Sequence, residues 1–503
     1  MGLQQVHLRI NDAATGQPTP VRLRITDADG NYHAPFGRLT EFATGVNQDV
    51  GGNVLIGNKK WCYIDGACEI LLPPGQLHIE ITKGFEYKPI DETITLLPGK
   101  MSLRLTIERW CDMRKEGWYS GDTRVHFMTP DAALLEGQAE DVAVVNVLIE
   151  EFSERRVNKR YAIPNILSFS GQSFARQAET CSVAVNTHNR HLFLGSLGLL
   201  HCHRIVYPLT FGSPEGMDDW TLADWCDQCH RKKGMVVWTH PYELSADFNY
   251  GEPLADLVLG RIDAYEVSYS DAPRHMEDYY DLCRAGLIVP LVGASAKGDN
   301  CAVLGAMRTY ASIDNSDDLG YENWLRAIRA GRSFATNGPL LSLKINGSVP
   351  TATLDIAEAV ENVHVHIEAI SLVPFQSVEL LWNGHVVASS MAALELPCKA
   401  NLDYDLPTNR SGWLAVRCRG TALLPNSRQD NVREVFAHTT AIAVRKEGSP
   451  FVAEATVIDR FLEELDSMLD WTENKALCST QRDRDRLRYI FEEARTVLAK
   501  KLS

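Results

Sequence analysis

No stretch of this 503-residue chain holds the ~20 consecutive apolar residues that a membrane-spanning helix needs. The opening, MGLQQVHLRIND, lacks a basic segment followed by an apolar one. As it stands the sequence therefore carries no secretory signal and is expected in the cytoplasm, with export of a longer precursor left open. Positive charge is in deficit: the formal net charge is −15. That disfavours non-specific attachment to nucleic acid or anionic membrane, and neither is expected as a partner. Internal repeats and low-complexity tracts are absent. Twelve cysteines are present but scattered, in a chain too long to need stapling, which fits reduced buried thiols better than a disulfide framework.

What is there is ordinary globular material, 45% apolar and 23% charged, enough for three or four domains. Residues 1–108 show short alternating runs split by Gly, Pro, Asn and Asp, as in VRLRITDADGNY and ACEILLPPGQLHIEITKG. Regular short strands of this kind predict a β-sandwich. Residues 109–337 change rhythm. VAVVNVLI, CSVAVNTHN, MVVWTHP, DAYEVSYS and IVPLVGASA are apolar and of strand length, and helical stretches such as LADWCDQCHRKKG and HMEDYYDLCRAG separate the later ones. Apolar strands alternating with helices predict a parallel sheet covered on its outside, a (β/α) barrel. Residues 338–450 return to alternation, with a hairpin signal at Asn383-Gly384, and predict a second β-sandwich. Residues 451–503 predict a helical hairpin, Phe461, Leu465, Met468 and Leu469 sharing one face and Leu487, Phe491, Ala494 and Leu498 another. The fold class expected is thus multidomain, α/β and β.

One short motif, CDQCH from Cys226 to His230, matches the haem-attachment spacing. Its surroundings read as a helix, with Leu222, Trp225 and Cys229 on one face and Gly234 as the stop, so packing explains it more simply.

Parallel strands carry their chemistry at their C-terminal ends. His126, Asn186 to His188, His240 and Ser295 to Lys297 all follow apolar runs. Metal sites need several His, Asp, Glu or Cys donors brought together. His126, His188, His191 and His240, drawn from three segments, are candidate ligands. His201 and His203 form a further pair that ends a run elsewhere. Asn186, Asn189, Ser295 and Asn300 are candidate substrate contacts.

Here the chain resembles a family. GWYSGDTRVHF, VNTHNRHLFLG, WTHP, GASAKGDN and SFATNGPLL are similar to motifs of the polymerase-and-histidinol-phosphatase (PHP) metallohydrolase superfamily, most of all its carbaryl-hydrolase-like branch. The resemblance spans about residues 40 to 390. It implies a distorted seven-stranded (β/α) barrel flanked by two sandwiches, two or three divalent metals, and hydrolysis of phosphoesters, carbamates or esters. The departures bear on the site. Arg124 replaces the first histidine of Asp-x-His-x-His while His126 keeps the second. The Thr-Asp-His motif of the next strand has no counterpart; only Asn146 stands near. His188 stands where a bridging Glu is expected, and His191 and His240 keep their histidines. Ser295, Ala296 and Lys297 replace a final Asp-x-His.

Two fixed cations would repel a cluster of divalent ions. The expectation is therefore a remodelled centre in which Arg124 and Lys297 take the space of lost metals. It holds one divalent ion, zinc or manganese, on His126, His191 and His240 with His188 as a fourth donor. Alternatively it holds none and is a cationic pocket for an anionic or polar small molecule. Arg124 and Lys297 would stabilise negative charge, or Lys297 would act as a base if its pKa were depressed. Asp122 would orient Arg124 or a ligand histidine, and Asp122 or Glu266 should lie close enough to offset a buried Arg124. The other reading is a catalytically degenerate barrel that serves as a binding or assembly protein for a glycan or protein partner. A homo-oligomer is left open.

Overall fold

The computed structural model describes residues 2–45, 48–154, 159–163, 166–212, 217–239, 249–269, 272–314, 319–424 and 433–502. At the N-terminal end two sheets close over one core. A three-stranded sheet orders Ala67–Leu72, Gln4–Asp12 and Ser102–Ile107; a five-stranded sheet orders Asn53–Ile56, Lys59–Ile64, Val21–Asp27, Gly75–Thr82 and Ile90–Leu96. Val6, Leu8 and Ile10 from one sheet meet Leu23, Ile25 and Ile79 from the other, all fully buried. The alternation seen in the sequence is the alternation of inward and outward side chains. Pro73 and Pro74, which have no N–H for a ladder, fall where the chain leaves the first sheet for the second.

The central part is mixed α/β. The strands Trp118–Val125, Val144–Glu154 and Ser182–His191 lie parallel and adjacent, and so do Met235–Thr239, Ala264–Ser268 and Leu291–Ala294. An antiparallel strand, Gly195–Leu200, joins the two groups. The circuit closes at the mouth, where Val125 bridges Lys297 in parallel and the His126 amide donates to the Lys297 carbonyl oxygen at 2.7 Å. Helices Pro130–Ala139, Leu222–Arg231, Ala272–Arg284 and Tyr321–Arg329 belong to this part of the chain. A Cβ on Gly121 would come within 2.3 Å of the Trp324 ring, so only glycine lets that helix settle against the first strand.

The sheet does not stop at residue 337. Ser333–Thr336 pairs with Arg308–Ser312 on one edge and Arg433–Thr439 on the other, so the barrel sheet continues into the C-terminal β region. There Leu340–Ile345, Asn362–Ser371 and Cys398–Pro407 form a separate three-stranded sheet that shares a core with the continued one through Val365, Ile367, Leu380 and Val416. Asn383 and Gly384 both have positive φ, +50° and +83°, and make the two-residue turn between Ser377–Trp382 and His385–Met391. The chain ends in two helices, Ala455–Asn474 and Gln481–Ala499. Phe461, Leu465 and Met468 of the first and Leu487, Phe491, Ala494 and Leu498 of the second are buried as their spacing predicts; Leu469 is only partly so. Glu464 accepts the amides of Asn249 and Tyr250, each at 2.8 Å, which fixes the first helix to the barrel.

Cys226 and Cys229 lie on helix Leu222–Arg231, both fully buried, with Thr221 and Asp224 capping its start reciprocally. The Cys202 thiol donates to the Cys229 sulfur, Sγ to Sγ 3.3 Å, and the two form no disulfide. No described helix is long and apolar enough to cross a membrane.

Candidate metal centre

Three neighbouring parallel strands deliver three donors. His126 follows Trp118–Val125, Glu150 lies in Val144–Glu154 and His188 in Ser182–His191. One atom from each lies within 4.8 Å of the other two. The His126 Nδ1 is 3.4 Å from Glu150 Oε2, and the His188 Nδ1 is 3.7 Å from Glu150 Oε1. The register explains the meeting. Leu148 pairs with Asn186 and Ile149 with Thr187, so the next step up the sheet sets Glu150 beside His188.

The electrostatics suit a cation. Burial pushes the His126 pKa down to about 3, against the pull of Glu150, so the ring is neutral at neutral pH. Burial raises Glu150, but His188, His126 and Arg190 outweigh it and hold the carboxylate well below its usual range. Imidazole nitrogens and an ionised carboxylate are the donor set of zinc and manganese sites. Two local features fit such an ion. The buried His126 Nδ1 makes no hydrogen bond among the described residues. His188 has its other nitrogen, Nε2, 2.9 Å from Thr239 Oγ1. A proton placed there, donated to the hydroxyl oxygen, leaves the Nδ1 lone pair facing Glu150.

Arg124 fills the opposite side of His126. Its Nη1 is 3.5 Å from His126 Nε2, while Nη2 and Nε donate to Glu266 Oε1 at 2.7 and 3.0 Å. Asp122 does not touch the guanidinium. Its Oδ1 accepts the amides of Arg124 and Ser295, and its Oδ2 accepts the Ser295 hydroxyl at 2.5 Å and the Gly305 amide at 2.8 Å. Burial lifts the Asp122 pKa to about 6 despite these four bonds. The carboxylate therefore orients Arg124 through its backbone. Phe127 and Ala296, with φ of +57° and +52°, are strained non-glycine positions at the two chain segments that meet here.

The remaining candidates are engaged elsewhere. Lys297 is fully buried, its Nζ 3.4 Å from Asp49 and 3.5 Å from Glu136, and it donates to the carbonyls of Asp299 and Ala302. Burial lowers its pKa, but Glu136 and Asp49 outweigh that and the net shift is upward, so it is held as a cation and the base role is lost. It ties the barrel mouth to the N-terminal part of the chain. His191 sits three residues along an unbroken strand from His188, hence on the other face. Its Nδ1 accepts the amides of Phe193 and Leu194, and its Nε2 faces Asp218 at 3.4 Å. Asn186 bonds Tyr321 and the His201 amide; Asn189 donates to the carbonyls of Val206 and Pro208; Asn300 donates to the Ala43 carbonyl. Each amide braces a loop or a strand. Ser295 is spent on Asp122. His201 and His203 face the carbonyls of Lys233 and Lys232. His240 lies outside the described residues.

Glu150 is the donor that sequence reading passed over. The signal was present: an acidic residue ending the apolar run VVNVLIEE, in the same strand-end position that singled out the histidines. A second group, His78, Glu80 and Asp91, lies in the five-stranded sheet. There Glu80 already carries Lys59 and Arg24, which neutralise it.

No family model matches the chain, and no curated protein matches it. Among solved structures, PsfC from Pseudomonas syringae PB-5123 aligns over 42% of this chain and 90% of its own, at 13% identity and a TM-score of 0.30. Endonuclease Q, in complex with a 27-mer duplex substrate bearing an abasic lesion, aligns over 42% of this chain and 56% of its own, at 12% identity and a TM-score of 0.27. No conclusion rests on likeness this slight.

Proposed function

We propose that the chain is a PHP-superfamily hydrolase of the carbaryl-hydrolase-like branch with a remodelled, mononuclear centre, acting on an ester, carbamate or phosphoester bond of a small molecule. The observation that carries this reading is the meeting of His126, Glu150 and His188, contributed by three adjacent parallel strands. These three would hold one zinc or manganese ion. Such an ion supplies Lewis-acid polarisation of a carbonyl or phosphoryl oxygen and acidifies a bound water. The chain's own groups set the stage. Thr239 orients His188. Glu266 and the Asp122-held backbone fix Arg124, whose guanidinium offers charge where an oxyanion would develop. Arg124 also takes the Nε2 side of His126, which supports one ion rather than two. The same feature favours a second reading, a degenerate barrel that binds without catalysing.

Purified protein dialysed against zinc or manganese should retain about one ion per chain. It should hydrolyse at least one member of a panel of aryl esters, N-methylcarbamates and phosphomonoesters, and His188→Ala should lose both properties. Metal retention without any hydrolysis would favour the binding reading. Failure to retain metal would end the metallohydrolase reading.

A further inference from the structure

Between the barrel and the continued C-terminal sheet lies a cavity of about 210 Å³. Tyr269, Met276 and Tyr280 line it from the barrel side and Phe436 from the sheet side. The volume is below the ~300–1,000 Å³ of sites that enclose drug-sized molecules, so the space suits a small ligand.

The aromatic wall is set before any ligand arrives. The His438 Nδ1 is 2.6 Å from the Thr439 carbonyl, to which it donates; its Nε2 then accepts the Tyr280 hydroxyl at 3.0 Å. Arg417 Nη1 donates to the same hydroxyl at 3.3 Å, and the Tyr280 ring stacks on Trp413 at 5.8 Å. Tyr280 thus presents a fixed ring whose polar end is satisfied.

The charged lining is not satisfied in the same way. Arg417 has its partner in Glu379, Nε to Oε2 2.7 Å. Arg419, Glu277 and Glu434 also line the cavity, are exposed, and make no ion pair among the described residues. Charges of both signs that make no ion pair among the described residues, set around an aromatic pocket, match a ligand that carries both. The exposed side chains of Glu277, Arg419 and Glu434 leave the cavity reachable from solvent. Tyr269 directly follows Ala264–Ser268 and Asn337 directly follows Ser333–Thr336, strands whose C-terminal ends lie at the barrel mouth.

We propose that this cavity binds a small zwitterion with an apolar body, of the size and charge of an aromatic amino acid. Its body packs against Tyr269, Met276, Tyr280 and Phe436. Its carboxylate answers Arg419, and its ammonium answers Glu277 or Glu434, with the aromatic faces adding cation–π attraction. The site needs no metal, so it stands or falls apart from the hydrolase reading.

The test is calorimetric titration of the full chain with L-phenylalanine, and with benzoate and phenethylamine, each of which carries half of the charge set. L-Phenylalanine should bind saturably at one per chain, with both half-ligands weaker by about tenfold or more. Arg419→Ala should weaken L-phenylalanine and benzoate by a similar factor and leave phenethylamine unchanged. Glu277→Gln combined with Glu434→Gln should weaken L-phenylalanine and phenethylamine and leave benzoate unchanged. All three residues are exposed, and circular dichroism would verify that the variants fold. The proposal is overturned by the absence of saturable binding, by a half-ligand that binds as tightly as the zwitterion, or by variants that bind L-phenylalanine like the parent.

Discussion

Arg124 Nη2 lies 2.7 Å from Glu266 Oε1, and both side chains are 1% exposed. A buried guanidinium is compensated by a carboxylate from a strand 142 residues further along the chain. The two charges are interdependent, because neither reaches water.

That dependence is measurable. Glu266→Leu alone should cost about 3–5 kcal/mol, since it removes the buried carboxylate that Arg124 is paired with. Arg124→Met together with Glu266→Leu should cost clearly less than Glu266→Leu alone. Urea midpoints of the three variants would show it; additive losses would mean that the pair is not coupled.

The donor set separates neighbouring histidines. His188→Ala and Glu150→Gln should abolish retention of zinc or manganese after dialysis, whereas His191→Ala should keep it, because His191 points to the other face of its strand. Thr239→Val, which removes the partner of His188 Nε2, should weaken metal binding about 10–100-fold. Elemental analysis gives the stoichiometry and competition with a chelator the affinity.

Arg124 and Lys297 should respond differently to replacement by histidine. Arg124→His restores the motif and removes the guanidinium beside His126 Nε2, so bound metal per chain should rise. Lys297→His should add none, alone or in combination, because the Lys297 ammonium is committed to Asp49 and Glu136. It should instead destabilise the protein, again by about 3–5 kcal/mol, by stranding two buried carboxylates. Equal metal content in the parent and Arg124→His would show that Arg124 does not stand in for an ion.

His438 should impose an acid limb on stability. Burial pushes its pKa from the ordinary 6.5 to about 3. Between those values the unfolded chain binds the extra proton and the folded one does not, so stability falls as pH drops through this window. In His438→Gln that contribution vanishes. The stability advantage of the parent over the variant should shrink by about 1 kcal/mol per pH unit below 6.5. Unfolding midpoints at pH 7.5, 5.5 and 4.5 would test the slope; a gap that stays constant would refute it.

Much of this protein is determined locally. Alternation of apolar residues makes the strands of both β regions, since one face must leave water and the other need not. Heptad-like spacing makes the two C-terminal helices, and Asn383-Gly384 makes its turn because both residues tolerate positive φ. Strand-end placement likewise marks His126, His188 and Arg124 as neighbours of a mouth, because parallel strands bring their ends together. Side-chain direction is another matter. Whether the strand through His188 stops or runs on to His191 depends on its pairing with Gly195–Leu200, and that pairing turns His191 toward Asp218. Lys297 shares a backbone bridge with Val125, yet its side chain turns to Asp49 and Glu136, one of them from a loop near residue 50 that no local pattern connects to it. Glu150 becomes a donor only because the register sets it beside His188. The sheet also runs past residue 337, where sequence rhythm placed a boundary, because Ser333–Thr336 has two edges and finds a partner for each. Periodicity is a property of neighbours along the chain, whereas register, facing and ion pairing are settled between segments far apart in sequence, and only the folded structure sets those distances.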